Sequence, residues 1–198
     1  FALVIGTSLL LRAYRRNAES QYRAHHDVLT ELPNRTLFSD RLQQALAVCK
    51  RQKSKLAILF IDLDNLKTIN DEYSHNAGDI LLKEVAQRMR ESVRESDTVC
   101  RLGGDEFVVL LPGIETEAQA IQVAEKMRQA LTASIHADGQ ELFTSASIGI
   151  ALFPHHGMNE VDLMNNADIA MYEAKSSGRN TIKVYSKDLI VDVLQNIS

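Results

Sequence analysis

Residues 55–64, KLAILFIDLD, form a nearly continuous apolar run that ends in Asp62 and Asp64. Runs of this kind are typical of a strand buried on both faces of a sheet, so this segment predicts a central strand with its acids at the end. Apolar positions at helical spacing predict helices over residues 36–52 and 78–93, on either side of that strand.

Two short apolar segments follow, over residues 97–102 and 106–112, and Gly103 and Gly104 between them predict a β-hairpin. The remaining pattern predicts a helix, a long strand, a helix and a last short strand, over residues 115–134, 141–154, 160–176 and 181–185. This order of elements predicts an α+β fold with a mostly antiparallel central sheet flanked by helices.

The first eleven residues, FALVIGTSLLL, are followed by Arg12, Arg15 and Arg16. A membrane span needs about 20 apolar residues, so this run is either the end of a span followed by cytoplasmic arginines or the start of a core-packed helix. Residues 8–26 contain no Pro or Gly and predict a helical connector. We therefore expect three parts. Residues 1–26 form a connector that includes the end of a candidate transmembrane segment, residues 27–186 form the domain, and residues 187–198 form a helical tail.

Composition and charge narrow the class of protein. With 198 residues, 45% hydrophobic and 24% charged, the chain has the composition of one packed domain with an appended element. The net charge of −4 argues against DNA or RNA polymers as partners, so a bound nucleotide should be small. Cys49 and Cys100 form no C-x-x-C motif, which argues against a zinc site or a disulfide framework and favours reduced thiols in the cytoplasm.

The segment RLGGDEF, at residues 101–107, places two adjacent acids on a flexible turn, although like charges repel. If the turn lies beside the end of the central strand, Asp62, Asp64, Asp105 and Glu106 converge on one edge of the sheet. Crowded carboxylates need cations, and hard oxygen ligands suit Mg²⁺ shared with substrate phosphates. A solvated acidic hairpin is the alternative for the turn considered alone.

Four segments together resemble the motif series of GGDEF-domain diguanylate cyclases. They are residues 60–79 (FIDLDNLKTINDEYSHNAGD), 101–107 (RLGGDEF), 147–151 (SIGIA) and 167–180 (ADIAMYEAKSSGRN), after DVLTELPNR at 27–35. The resemblance runs from about Asp27 to Tyr185, in order and with similar spacing. It implies a fold similar to polymerase palms and nucleotide cyclases, and synthesis of cyclic di-GMP from two GTP with release of pyrophosphate.

The resemblance also implies the catalytic residues. Asp62, the backbone carbonyl of Leu63 and Asp105 would hold Mg²⁺ or Mn²⁺, with Glu106 as a further ligand or as the acid nearest the attacking hydroxyl. Such cations neutralise a triphosphate and lower the pKa of the 3′-hydroxyl that attacks the α-phosphate. Asp105 and Glu106 are therefore the candidate catalytic residues, and either of them could be the general base.

The base and the phosphates have separate candidate contacts. Asn70 and Asp79 lie where the family contacts guanine, with His75 in the same pocket, and Asp79 should fall in the first turn of a helix that starts near Gly78.

For the phosphates, Lys67, Lys175 and Arg179 match the family's cations. Lys175 and Arg179 have a plainer interpretation too, as cations that favour the dipole at the end of a helix.

RESD at residues 94–97 precedes the glycine turn and matches the family's inhibitory R-x-x-D site, with Arg94 and Asp97 as contacts for cyclic di-GMP. An ordinary charged helix end is the alternative. Two positions depart from the family's usual residues, Leu66 in place of Phe and Ser74 in place of Gly, which affects fine geometry only.

One subunit supplies one GTP half-site, so activity should require a homodimer. The apolar start of the chain predicts membrane attachment, with the domain in the cytoplasm of a bacterial cell as the output of an inner-membrane sensor. The alternative function is a non-catalytic module that binds cyclic di-GMP or GTP. The intact acidic turn argues against that alternative, because a receptor does not need metal ligands.

Overall fold

The computed structural model of the chain describes residues 22–137 and 139–188. From residue 35 onward the described ranges contain five helices, α1 Arg35–Gln52, α2 Leu66–Glu72, α3 His75–Ser92, α4 Glu117–Leu131 and α5 Glu160–Ser176. The same ranges contain seven strands, β1 Lys55–Leu63, β2 Thr98–Gly103, β3 Glu106–Ile114, β4 Ile135–Ala137, β5 Gln140–Leu142, β6 Ala146–Phe153 and β7 Ile182–Val184.

Five of these strands form one sheet in the order β2-β3-β1-β6-β7. All neighbours in the sheet are antiparallel except β6 and β7, which are parallel. The central position of β1 explains its apolar run, because residues 56–63 are all buried. The prediction of an α+β fold with a mostly antiparallel sheet is confirmed.

Helices cover both faces of the sheet. Alternate residues of β1 point to opposite faces: Leu59 and Ile61 belong to the core under α3 and α4, whereas Ile58 and Phe60 belong to the core under α1 and α5. Because both faces are covered, the exposed parts of the sheet are its edges and the ends of its strands. The acids of β1 lie at one of those ends.

Two parts of the predicted helix pattern were wrong. The short helix α2 was not expected, and α3 begins at His75 rather than Gly78 because the Ser74 side chain caps it, accepting a hydrogen bond from the Ala77 N–H at 3.1 Å. Asp79 therefore lies in the second turn of α3, beyond the first turn where a carboxylate gains most from the helix dipole.

The strand predicted over residues 141–154 is in fact two strands. The first, β5, pairs with β4 in a separate two-stranded sheet, and β6 begins only at Ala146. The chain leaves the extended pattern around Ser145, whose carbonyl accepts a hydrogen bond from the Asp64 N–H at 3.0 Å. This bond joins the start of β6 to the end of β1.

The division at residues 26 and 186 stays a prediction. Residues 22–25 of the predicted connector are helical, while the apolar start of the chain and most of the predicted tail, at residues 1–21 and 189–198, lie outside the described residues. None of the helices in the described ranges combines the length and the apolar character needed to cross a membrane.

His156, just after β6, gives the fold a pH dependence. Its Nδ1 accepts a hydrogen bond from the Leu152 N–H at 3.1 Å, and its ring packs edge-on against Tyr185 with centroids 5.5 Å apart. Burial lowers the pKa of His156 below its ordinary 6.5, against the opposing effect of Glu117. The folded state therefore favours the neutral ring.

We expect the contribution of His156 to the free energy of unfolding to fall as the pH drops from about 6.5 through the lowered pKa, because the unfolded chain takes up this proton first. Urea unfolding midpoints of the wild type and of His156→Gln, measured between pH 8 and pH 5, check this. The wild type should lose stability relative to His156→Gln as the pH falls, and a difference that does not change with pH would contradict the assignment.

Candidate active site

The end of the central strand and the glycine turn adjoin. Asp62 lies opposite Glu106 in the register of β1 with β3, and the Leu63 N–H donates a hydrogen bond to the Asp105 carbonyl at 3.1 Å. This is the juxtaposition that the sequence analysis required for a metal-dependent site. Three of the four predicted acids thus adjoin at one end of the sheet.

The fourth acid, Asp64, follows β1 at the same end of the sheet, but other groups bind its carboxylate. Its Oδ1 accepts a hydrogen bond from Ser147 Oγ at 2.7 Å, and its Oδ2 accepts from Ser145 Oγ and from the Asn180 N–H. Both carboxylate oxygens are therefore engaged by β6 and by the turn after α5. The expectation that all four acids converge is corrected in this respect.

Arg101 holds the glycine turn in place, and the sequence analysis missed it. Gly104 has φ of +52°, a left-handed conformation that favours glycine, and its carbonyl accepts hydrogen bonds from Arg101 Nη2 at 2.8 Å and Nε at 3.1 Å. The third nitrogen, Nη1, lies 3.0 Å from Asp27 Oδ1. The only signal in the sequence was the position of Arg101 directly before LGGDEF.

Asp27 is in turn fixed by Thr30, whose N–H and hydroxyl donate to Asp27 Oδ1 at 2.8 and 2.6 Å. Burial alone would raise the pKa of Asp27, but the hydrogen bonds from Thr30 and the Arg101 guanidinium outweigh it and hold the pKa below its ordinary value. The segment before α1 therefore stabilises the acidic turn through a charged side chain.

Asp62 is 4% exposed, and its environment disfavours its charge. Burial raises the pKa of Asp62 to about 6; Lys175 opposes this shift, and the charges of Asp105 and Glu106 add to it. The Lys175 ammonium lies 2.7 Å from Asp62 Oδ1, and this ion pair offsets part of the cost of burying the carboxylate charge. The buried carboxylate thus already has a cation as its partner.

These residues fit a divalent cation that is shared with a substrate. In the described part of the chain, no group of three or more His, Cys, Asp or Glu side chains is placed to hold a metal ion by itself. Mg²⁺ commonly binds through one or two carboxylates and completes its shell with water and substrate phosphates. Asp62 and Asp105, with the Leu63 carbonyl and Glu106, offer oxygens for such an ion.

The three predicted base-contacting residues come from two neighbouring helices. Asn70 is partly buried on α2, whereas His75 and Asp79 are exposed on the first two turns of α3. Gly78 permits the two helices to approach, because a Cβ built at this position would overlap Asn70 Oδ1. Gly78 is thus a second residue whose importance the sequence analysis missed.

Gly78→Ala is expected to displace the Asn70 amide without unfolding the domain, since the overlapping atom is the end of a side chain that can rotate away. Alanine is also the better helix former by about 1 kcal/mol. We expect an unchanged or higher Tm. If Asn70 contacts the base of GTP, as the resemblance implies, the affinity for GTP should fall by up to about tenfold, the effect of one hydrogen bond. Calorimetry with a GTP analogue checks the affinity, and an unchanged affinity would contradict this role for Gly78.

The three predicted phosphate-contacting cations have different surroundings. Lys175 lies in the last turn of α5, where its ammonium pairs with Asp62. Arg179 is exposed in the turn after α5, and Lys67 is exposed on α2. The ion pair brings Lys175 to the acids, so its position is explained by more than a helix dipole.

The predicted inhibitory residues lie in the turn between α3 and β2, at the opposite end of β2 from the glycine turn. The Arg94 N–H donates to Asp97 Oδ2 at 3.0 Å, which closes this turn. Both residues border a cavity of about 370 Å³ that is also lined by Arg41 and Arg90. The cavity therefore offers the guanidinium groups of three arginines, and its lining also includes three acidic residues, Glu31, Glu95 and Asp97.

Comparison with known proteins agrees with this arrangement. Residues 24–181 match the family described as diguanylate cyclase, GGDEF domain. The chain is 49% identical over 177 residues to the bifunctional diguanylate cyclase/cyclic di-GMP phosphodiesterase MucR of Pseudomonas aeruginosa. The matched segment covers 89% of this chain and 25% of MucR. It is 45% identical over 171 residues to the diguanylate cyclase TpbB of the same species, covering 86% of this chain and 39% of TpbB.

Solved structures give the same result. The GGDEF domain of TpbB from Pseudomonas aeruginosa superposes with a TM-score of 0.83 at 44% identity, covering 86% of this chain and 99% of that one. The GGDEF domain of DgcB from Caulobacter crescentus, in complex with c-di-GMP, superposes with a TM-score of 0.75 at 26% identity, covering 81% and 95%. The chain thus spans nearly all of a solved domain but less than half of the curated relatives.

Proposed function

Because the chain belongs to the family of GGDEF-domain diguanylate cyclases, we propose that it condenses two GTP molecules into cyclic di-GMP and releases pyrophosphate. One observation supports this most strongly. Asp62, buried and paired with Lys175, lies across from Glu106 and next to Leu63, whose N–H donates to the Asp105 carbonyl. A receptor has no need to maintain so unfavourable a cluster of acids.

Asp62, the Leu63 carbonyl and Asp105 are the proposed ligands of Mg²⁺ or Mn²⁺, with Glu106 beside them. When bound, the cation neutralises the triphosphate and lowers the pKa of the attacking 3′-hydroxyl. Lys175, whose ammonium lies 2.7 Å from Asp62, would contact the phosphates of a nucleotide bound beside these acids. Asp105 or Glu106 accepts the proton of the hydroxyl as it attacks.

Asn70, His75 and Asp79 are the proposed contacts of the guanine base. A carboxylate accepts hydrogen bonds from N1 and N2 of guanine, and an amide can donate to O6, whereas adenine has an amino group in place of O6. Lys67 and Arg179 are the proposed further contacts of the phosphates. The exposure of His75, Asp79 and Arg179 leaves all three accessible to a nucleotide.

The active form is proposed to be a homodimer. Each domain supplies one set of metal ligands and one set of base contacts, so two nucleotides can react only when two domains face each other. We propose further that residues 1–26 attach the domain to the inner membrane of a bacterium, with the domain in the cytoplasm. The apolar start and the arginines that follow it support this attachment.

Cyclic di-GMP is proposed to inhibit the enzyme by binding at Arg94 and Asp97. The nearby Arg41 and Arg90 in the same cavity favour a ligand with two phosphates. Since this cavity lies at the far end of β2 from the acids, inhibition there does not compete directly with GTP.

Arg94→Ala is expected to raise the concentration of cyclic di-GMP that halves the rate by at least about tenfold, the effect of one charged hydrogen-bonded pair. The uninhibited rate should remain within about twofold of the wild type, because Arg94 is distant from the acids. Initial rates at increasing product concentration check this. A variant inhibited as strongly as the wild type would refute the site.

The function itself is tested by incubating the purified chain with GTP and Mg²⁺ and identifying products by mass spectrometry. Cyclic di-GMP and pyrophosphate should form from GTP, while ATP should give no cyclic dinucleotide and EDTA should stop the reaction. Binding of cyclic di-GMP without any conversion of GTP would instead support the non-catalytic alternative.

A further inference from the structure

The turn after α5 holds an unusual backbone conformation. Gly178, Arg179 and Asn180 have φ of +110°, +62° and +45° in succession. For residues other than glycine this conformation costs about 1–3 kcal/mol each and persists where surrounding contacts enforce it. Arg179 is exposed, and within the described ranges its guanidinium has no hydrogen bond or ion pair, so the turn sets only the direction in which its side chain leaves the backbone.

One set of contacts ties this turn to the end of the central strand. The Asn180 N–H donates to Asp64 Oδ2 at 3.1 Å, and Ser147 Oγ donates to Asp64 Oδ1 at 2.7 Å. Ser147 is fully buried on β6, so the carboxylate is held from a rigid element. Asp64 comes two residues after Asp62, and the turn is therefore fixed with respect to the acids.

A second contact reaches the turn from α4. Arg128 Nη1 donates to Asn180 Oδ1 at 2.7 Å and to the Asn180 carbonyl at 3.3 Å. The other two nitrogens of the guanidinium donate to Glu125 at 2.9 and 2.7 Å, a two-point contact that fixes its plane. The hydrogen bonds from Arg128 lower the pKa of Glu125 to about 2, so this carboxylate stays charged at neutral pH.

We propose that Asp64 and Arg128 are positioning residues that act through Asn180 to aim Arg179 at the triphosphate of the bound nucleotide. This inference rests on the proposed function, because it takes Arg179 as a phosphate contact. Neither Asp64 nor Arg128 needs to touch the nucleotide. Their effect is to hold the turn ready before binding, so that less conformational freedom is lost when GTP binds.

The inference extends the site to α4, a helix that carries none of the motifs by which the sequence resembles its family. It also gives a reason for the charge of Asp64, which the metal site does not use. Ser145, Ser147 and Asn180 donate hydrogen bonds to both carboxylate oxygens of Asp64. Asparagine at position 64 would have only one acceptor oxygen for these three donors.

The test measures GTP affinity and turnover separately in Arg128→Gln. Glutamine removes the bond to Asn180 and the pair with Glu125 but stays at the surface of α4. We expect KM for GTP and the Kd for an uncleavable GTP analogue with Mg²⁺ to rise about fivefold or more. The value of kcat should change by less than about twofold, because the lost contacts stabilise the bound substrate and the transition state equally. Ser147→Ala should act in the same direction, and it carries the test if Arg128→Gln does not fold.

Arg88→Gln is the matched control. Arg88 on α3 also pairs with an acid, Glu84, and also donates to backbone carbonyls, those of Ala130, Ala133 and Ser134. It does not reach the turn after α5. Arg88→Gln should therefore leave the Kd for the analogue unchanged even if it lowers Tm.

Arg179→Ala shows whether Arg128 acts through Arg179. In that background Arg128→Gln should cause no further loss of affinity, whereas independent roles would give multiplied effects. Multiplied effects, or an unchanged Kd in Arg128→Gln, would overturn the inference. Failure of the wild type to make cyclic di-GMP would overturn the proposed function instead, while the binding measurements would still decide the role of Arg128.

Discussion

Asp62→Asn is expected to reduce the conversion of GTP by at least about a hundredfold while leaving the domain as stable as before or more so. The neutral amide oxygen is a weaker ligand for a hard divalent cation than the charged carboxylate that it replaces. In the free protein, however, burial and the charges of Asp105 and Glu106 disfavour the Asp62 carboxylate. Its neutral replacement removes this penalty, and the partly exposed Lys175 can be hydrated instead.

Turnover by mass spectrometry and Tm by calorimetry, measured on the same samples, check both halves of this prediction.

Asp105→Ala should also lose turnover and keep its fold, because it removes a ligand rather than packing. Asp40→Asn, a change to an exposed acid on α1, should retain both activity and stability. Substantial turnover by Asp62→Asn would exclude Asp62 as a metal ligand.

Gly149→Ala is expected to destabilise the domain by about 3 kcal/mol or more, the upper range for overpacking a core. Gly149 lies in the middle of β6, where α5 crosses the sheet. A Cβ built there would overlap the Ala167 carbonyl oxygen and the Met171 nitrogen, both backbone atoms of α5. Backbone cannot rotate away as a side chain can, so α5 would have to move off the sheet.

Urea unfolding of Gly149→Ala and Gly78→Ala makes a matched comparison. Both add one methyl group at a buried glycine, but at Gly78 the overlapping atom belongs to the Asn70 side chain. Only Gly149→Ala should lose stability, together with activity, because α5 carries Lys175. Equal midpoints for Gly149→Ala and the wild type would show that α5 can shift freely, contrary to the close packing seen here.

The sequence predicted the fold where a segment's own pattern decides its structure. The apolar run of β1, the glycine hairpin and the helices α1, α4 and α5 were all recognisable from local spacing. The helix α2 has only seven residues, too few for a clear period. The break before β6 was missed because the alternation of residues continues through it. The structure reveals the break through the separate pairing of β5 with β4 and the bond from Asp64 to Ser145.

The acids of the site were predictable because they are adjacent in motifs, whereas their supports were not. Arg101 contacts Asp27 across 74 positions, and Asn180 contacts Asp64 across 116. Contacts at such separations depend on which strands become neighbours, which no local pattern specifies. The sequence therefore identified the residues proposed to meet the nucleotide and missed those that hold them in place.

The central claim is that Asp62 and Asp105 share a divalent cation with the triphosphate of GTP. Anomalous diffraction from crystals grown with Mn²⁺ and a GTP analogue that cannot be cleaved between its α- and β-phosphates tests it most directly. The account predicts a manganese peak bonded to both carboxylates and to phosphate oxygens, with the Lys175 ammonium moved from Asp62 to the phosphates. Manganese bound elsewhere, with Lys175 still paired to Asp62 beside a bound nucleotide, would contradict it.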